Sequence, residues 1–180
     1  LFPADTVYGL ACDPESEAAV ARLYEIKGRP ADRPAAVMFF QLERALEALG
    51  ELGPRTRGAL GRLLPGPVTL LLPNPERRFP LACGPVPERL GLRVPDVPLL
   101  AGVGLPVMQS SANPSGGADA RRLADVDERI RAQVDLEIDG GELPGTASTV
   151  IDLSEYEPAG AFAIVREGAL GAGAVGAALG

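Results

Sequence analysis

Lys27, Arg29 and Arg33 fall within a span of seven residues, in Lys27-Gly28-Arg29-Pro30-Ala31-Asp32-Arg33-Pro34, on a stretch stiffened by two prolines. Such a loop can hold anionic oxygens at fixed positions, and arginine adds a planar fork that matches phosphate. The same residues also suit an ordinary helix exit, because cations favour the negative end of a helix dipole and charge runs are often solvated faces. Upstream, Pro3-Ala4-Asp5-Thr6-Val7-Tyr8-Gly9-Leu10 adds a carboxylate and hydroxyls to the same group of polar side chains.

A second cluster, Ser110-Ser111-Ala112-Asn113-Pro114-Ser115-Gly116-Gly117, combines hydroxyls, an amide and glycine backbone N–H groups. It can form an anion nest, or simply a turn that caps the next helix. A third, Ser148-Thr149-Val150-Ile151-Asp152 with Arg166 beyond it, is by composition an ordinary strand and an exposed arginine. Gly171-Ala172-Gly173-Ala174-Val175-Gly176 fits GxGxxG, but the sequence ends at Gly180 without a second strand or an acidic residue for a ribose, so it is not read as a dinucleotide fingerprint. With no GxxxxGK[ST] segment either, any ATP must be held by scattered Arg, Lys and Ser groups.

The elements that must position these clusters alternate in type. Leu1-Phe2-Pro3 reads as a strand tail and, without an initiating Met, as an incomplete first element. A helix from Asp13-Pro14 to Gly28 is expected, with Asp13 as cap and Val20, Leu23 and Ile26 at helical spacing. Ala35 to Phe40 suits a buried strand, Leu42 to Leu49 and Arg55 to Leu64 suit helices, and Val68 to Leu72, Leu90 to Val94 and Leu105 to Gln109 suit strands. A helix over Ala120 to Val134 would place Leu123, Val126 and Ile130 on one face, before closing strands at Thr149 to Leu153 and Phe162 to Val165. The mixture predicts an α/β or α+β fold, a sheet with helical cover, in a single domain over residues 1–180.

Composition removes several function classes. There is no histidine, so most zinc sites and every Ser-His-Asp or Cys-His scheme are excluded, and Cys12 and Cys83 read as inert thiols in a reduced compartment. The formal charge of −7 opposes a broad phosphate-tracking surface. No stretch reads as a membrane span or a secretory signal, which leads to a cytoplasmic expectation.

Taken in order, PADTVYGLACD, KGRPADRP, PGPVTLLL, GLRVPDVP, SSANPSGG, STVIDL and IVREGAL resemble the successive signature segments of the YrdC/TsaC family, including its KxR and SxN signatures at Lys27/Arg29 and Ser111/Asn113. The resemblance implies a twisted mixed sheet around a large open concave cavity, and an L-threonylcarbamoyladenylate synthase that joins L-threonine, bicarbonate and ATP, with Mg²⁺ on the triphosphate, releasing pyrophosphate. A partner machinery would then transfer the group to an adenosine of tRNAs reading ANN codons (t6A). By the same resemblance, Thr6, Arg93, Gln109 and Ser148 contact threonine while Tyr8 lines the pocket. Arg29, Arg33, Ser111 and Arg166 contact ATP, and Lys27 and Asn113 complete a catalytic tetrad with Arg29 and Ser111, no metal being held by the protein. The sequence departs from the family pattern at Ala4, which replaces a Thr, and at Met38 and Val97, which replace His; these bear on amino-acid specificity more than on nucleotide binding. Two other readings remain at this stage: a YrdC-like carbamoyltransferase domain, and a module that binds double-stranded RNA or tRNA.

Overall fold

The computed structural model describes residues 1–30 and 32–180. Its first half runs β1 (Phe2–Pro3), β2 (Tyr8–Cys12), α1 (Glu17–Lys27), β3 (Ala36–Met38), α2 (Leu42–Ala48), α3 (Pro54–Leu63), β4 (Val68–Pro73) and α4 (Pro80–Cys83). The second half continues with β5 (Arg89–Arg93), β6 (Val107–Ser111), α5 (Glu128–Arg131), β7 (Thr149–Asp152), α6 (Tyr156–Ala159), β8 (Ala163–Arg166) and α7 (Ala172–Leu179). One mixed sheet orders the strands β1-β2-β6-β3-β5-β4-β7-β8. Only β3 with β5 and β4 with β7 are parallel; the other neighbours are antiparallel.

The faces follow from side-chain alternation. Val68, Leu70 and Leu72 of β4 are fully buried while Thr69 and Leu71 are half-buried, as a strand with one packed face requires. Leu90, Leu92 and Ile151 continue the packed face, under Ala59, Leu60 and Leu63 of α3 and Val20, Leu23 and Tyr24 of α1. Burying each such leucine contributes about 1.5–3 kcal/mol, so the helices are held by packing more than by propensity. On the opposite face the register sets Gln109 beside Ala36 and Ala36 beside Gly91. Two small residues at the middle of that row leave room above it.

Several boundaries differ from the sequence reading for local reasons. The cap of α1 is Ser16, whose hydroxyl accepts from Ala19 N at 3.3 Å, whereas Asp13 accepts from Glu15 N at 2.9 Å and closes a turn before the helix. Gly28 does end it, at φ 56°, in the left-handed region that glycine enters without strain. The helix expected over 120–134 does not form as one piece: a 3₁₀ turn at Leu123–Asp125 and the short α5 replace it. Asp125 accepts from Arg122 N at 3.0 Å and Asp127 from Arg129 N at 2.8 Å, so these side chains start two separate turns instead of prolonging one. Val126 and Ile130 still reach the core, which is why the periodicity misled. β6 begins at Val107, two residues later than expected, with Leu105 left 75% exposed ahead of it. Ser110 and Ser111 therefore belong to the strand and not to the following loop. The glycine-rich 171–176 stretch enters α7, whose Val175 and Leu179 are buried in the core; it forms no nucleotide-binding turn.

Candidate active site

The hydroxyls and cations meet above the row of small residues, around a hollow of about 200 Å³. Arg93 stands at the end of β5, where Met38 is its neighbour on β3. Its Nη2 donates to Asp5 Oδ1 at 2.6 Å, Ala4 O at 3.1 Å and Thr6 Oγ1 at 3.4 Å, and its Nη1 to Gln109 Oε1 at 3.4 Å. Burial lowers the Arg93 pKa, with Asp5 opposing; burial raises that of Asp5, with Arg93 opposing. Gln109 reaches the site across Gly9, since a Cβ there would lie 2.8 Å from its Nε2.

On the far side, Ser148 and Arg166 are brought together by β7 and β8. Ser148 Oγ lies 2.8 Å from Thr69 Oγ1, and Arg166 Nη2 donates to Ser148 O at 2.6 Å and more weakly to its Oγ at 3.4 Å. Arg29 closes a third side from the loop after α1. Its Nη2 donates to Pro34 O at 2.6 Å and its Nη1 to Ser110 Oγ at 3.3 Å, with the guanidinium carbon 5.9 Å from the centre of the Tyr24 ring. Its buried Nε has no partner.

Thr6, Arg29, Arg93, Gln109, Ser111, Ser148 and Arg166 thus share one hollow, whereas the other sequence candidates lie outside its wall. Tyr8 is wholly buried, and its hydroxyl lies within hydrogen-bond reach of Asp139 Oδ1 at 3.0 Å and Gly141 O at 2.9 Å while accepting from Gly140 N at 3.0 Å; it pins the 139–141 segment instead of lining the pocket. Arg33 is exposed, its main-chain carbonyl accepting from the Tyr24 hydroxyl at 2.6 Å. Lys27 is buried beneath the site. Its Nζ donates to Ser111 O, to Asn113 O at 2.6 Å and to Asn113 Oδ1 at 3.2 Å. Asn113 Oδ1 also accepts from Ser111 Oγ at 2.6 Å, and its Nδ2 donates to Gly117 O at 2.5 Å. Lys27 and Asn113 therefore shape the end of β6 at Ser111 and the loop after it from behind. Burial, and then the neighbouring Arg29 cation, bring the Lys27 pKa down to about 8, against the partial help of Asp119.

Sequence reasoning missed Thr69 and Asp119, which line the hollow. Thr69 carried a signal, as the one hydroxyl on the half-buried phase of β4. A larger hollow of about 500 Å³ lies elsewhere, walled by Leu1, Phe2, Leu10, Leu23 and Leu136. Size does not mark the chemistry here: among the described residues the one cationic side chain on that wall, Arg22, is already tied to Asp135 at 2.8 Å.

The Sua5_yciO_yrdC family model, described as Telomere recombination, matches residues 1–168. This chain belongs to the Sua5/YciO/YrdC family. Among its relatives, the threonylcarbamoyl-AMP synthase of Pyrococcus abyssi is 37% identical over 87% of this chain and 47% of its own length. That of Hahella chejuensis is 31% identical over 92% of this chain and 89% of its own. The crystal structure of P. abyssi Sua5 complexed with L-threonine superposes with a TM-score of 0.82, at 32% identity over 99% of this chain and 53% of that one. The chain thus spans about half the length of the P. abyssi protein and most of the shorter Hahella one. The eight-stranded twisted sheet with helices is the architecture expected of a Sua5/YciO/YrdC domain.

Proposed function

We propose that this chain is a threonylcarbamoyl-AMP synthase domain, joining L-threonine, bicarbonate or CO₂, and ATP with release of pyrophosphate. The observation that carries the reading is the convergence of Arg29, Ser111 and Arg166 on the same hollow as Thr6, Arg93 and Ser148. Cations suited to a triphosphate thus face groups suited to a hydroxy amino acid. The names of the relatives and the threonine complex of P. abyssi Sua5 support it.

The chemistry asks for positioning and charge stabilisation. Threonine's amine takes up CO₂ to give N-carboxythreonine, whose carboxylate attacks the α-phosphorus of ATP while the bond to pyrophosphate breaks. Arg29 and Arg166 reduce the repulsion between these anions and stabilise the charge that builds on the leaving group. Held side by side, the reactants gain the advantage of an intramolecular reaction. With no histidine in the chain, the scheme routes no step through an imidazole base. Mg²⁺ belongs to the nucleotide substrate in this scheme: among the described residues no group of three acids or cysteines converges to hold a metal, and Asp119 is the one acidic side chain on the wall. A tRNA-modifying machinery would take the adenylate onward.

Protein incubated with ATP, Mg²⁺, labelled bicarbonate and threonine should yield a labelled adenylate by mass spectrometry. Valine should yield almost none, because a site that hydrogen-bonds a substrate hydroxyl discriminates strongly against an analogue lacking it. Threonine-independent pyrophosphate release, or an adenylate without the label, would overturn the reading.

A further inference from the structure

Among the described residues, Asp5 and Arg93 form the one ion pair in which both side chains are almost sealed, at 8% and 4% exposure. The pair is only half made. Asp5 Oδ1 takes Arg93 Nη2 at 2.6 Å, but the other carboxylate oxygen, Oδ2, and the other edge nitrogen, Nε, are buried with no partner. An arginine fork and a carboxylate ordinarily use two parallel hydrogen bonds, which would engage both. Asp5 is moreover held at φ 63°, a left-handed conformation uncommon outside glycine, although aspartate enters it more readily than most residues. The left-handed turn and the idle buried charge thus lie directly behind Thr6 and Arg93, which line the hollow.

We propose that Asp5 is a specificity-determining positioning residue that keeps the Arg93 end of the hollow electrically balanced, so that it accepts the zwitterion of an α-amino acid and refuses a plain carboxylate. The inference rests on the proposed function and names how that site reads its amino acid. A carboxylate alone brings a second negative charge beside Asp5, with the Arg93 charge already shared. A zwitterion brings its own ammonium, whose charge Asp5 offsets from behind Arg93 without touching the ligand. A lone ammonium fails for the converse reason, since it brings a second positive charge beside Arg93. In so dry a setting these interactions are screened far less than at the surface.

The test compares Kd values by calorimetry for L-threonine, 3-hydroxybutanoate, which has the same skeleton without the amine, and L-threoninamide, which lacks the carboxylate. The native protein should prefer threonine to either analogue by at least about tenfold, as expected where a buried group would be left unpaired. In Asp5→Asn the preference over 3-hydroxybutanoate should fall to within about threefold while threoninamide stays excluded. The idea fails if Asp5→Asn keeps the native preference, or if the native protein takes either analogue within threefold of threonine. The native comparison decides even if the variant does not fold. A native protein that binds ATP but none of the three ligands would instead sink the amino-acid reading itself.

Discussion

Replacing Lys27 with methionine separates a structural lysine from one that touches substrate. The side chain is 3% exposed, and the substitution removes the donor to Ser111 O and Asn113 O, while Asn113 Oδ1 keeps the Ser111 hydroxyl at 2.6 Å. Each orphaned carbonyl costs about 1–3 kcal/mol. Against that loss, removing a cation that burial disfavours returns about 2 kcal/mol once screening is discounted. At pH 7 the variant should be about 2 kcal/mol less stable, or about 4–8 °C lower in Tm for a chain of this size. The pH dependence is the sharper readout. With Lys27 near 8 in the fold and 10.5 when free, the unfolded chain binds more protons than the folded one between those values, so native stability rises with pH across that window. Methionine does not titrate, so the gap between native protein and variant should widen by about 2 kcal/mol from pH 7.5 to 10.5. Urea unfolding followed by far-UV circular dichroism suits a chain without tryptophan. A gap that stays constant or narrows would refute the view that Lys27 is a penalised, buried cation.

Arg29→Ala should abolish turnover and weaken ATP binding at least about tenfold, the loss of one charge-assisted contact, while changing Tm little because the side chain is only half-buried; pyrophosphate release and nucleotide calorimetry check this. Thr69→Val removes the 2.8 Å partner of Ser148 Oγ, and with about 1 kcal/mol at stake should raise KM for threonine about fivefold and leave KM for ATP unchanged. Cys12 is pushed up to about 11 by burial and then by Asp13, so iodoacetamide at pH 8 should leave it unmodified by mass spectrometry, and Cys12→Ser should keep full activity.

Elements with strong periodicity and clear stops were legible in the sequence: α1 up to Gly28, α3 from the helix expected over Arg55 to Leu64, and β4 from the apolar run Val68 to Leu72. The helix expected over 120–134 was not, because Leu123, Val126 and Ile130 satisfy helical spacing while two aspartates satisfy their neighbours' amides locally. The site divided in a similar way. Residue type identified the polar clusters, but a lysine in a cationic loop reads the same whether its ammonium faces a ligand or lies beneath the loop. Only the packing shows that Lys27 faces Ser111 O and Asn113 O. Tyr8 was misplaced for the same reason, its hydroxyl being used by residues more than 130 positions away. Asp5 was visible only as a carboxylate in the first polar cluster, because its pairing with Arg93 and its missing partner are properties of conformation.

The departures at Ala4, Met38 and Val97 are far apart in sequence, yet they come together in space. Ala4 and Met38 are buried with Phe2 and Leu100 in a small cluster separate from the main core, and Val97 packs against it. The cluster touches the binding end of the hollow, since Ala4 O accepts from Arg93 and Met38 is the strand neighbour of Arg93. A threonine or histidine at one of these positions alone would bury a polar group among hydrocarbon, at a cost of about 1–3 kcal/mol unless a partner came with it. Three apolar residues in or against one cluster carry no such requirement. The cluster is thus a dry patch behind Arg93, not a wall of the hollow, and Met38, fully buried, fills its share of the space. None of the three lines the hollow itself, so under the proposed function their effect is expected to reach the amino-acid end only through Arg93, with Arg29, Ser111 and Arg166 on the other sides of the hollow unaffected.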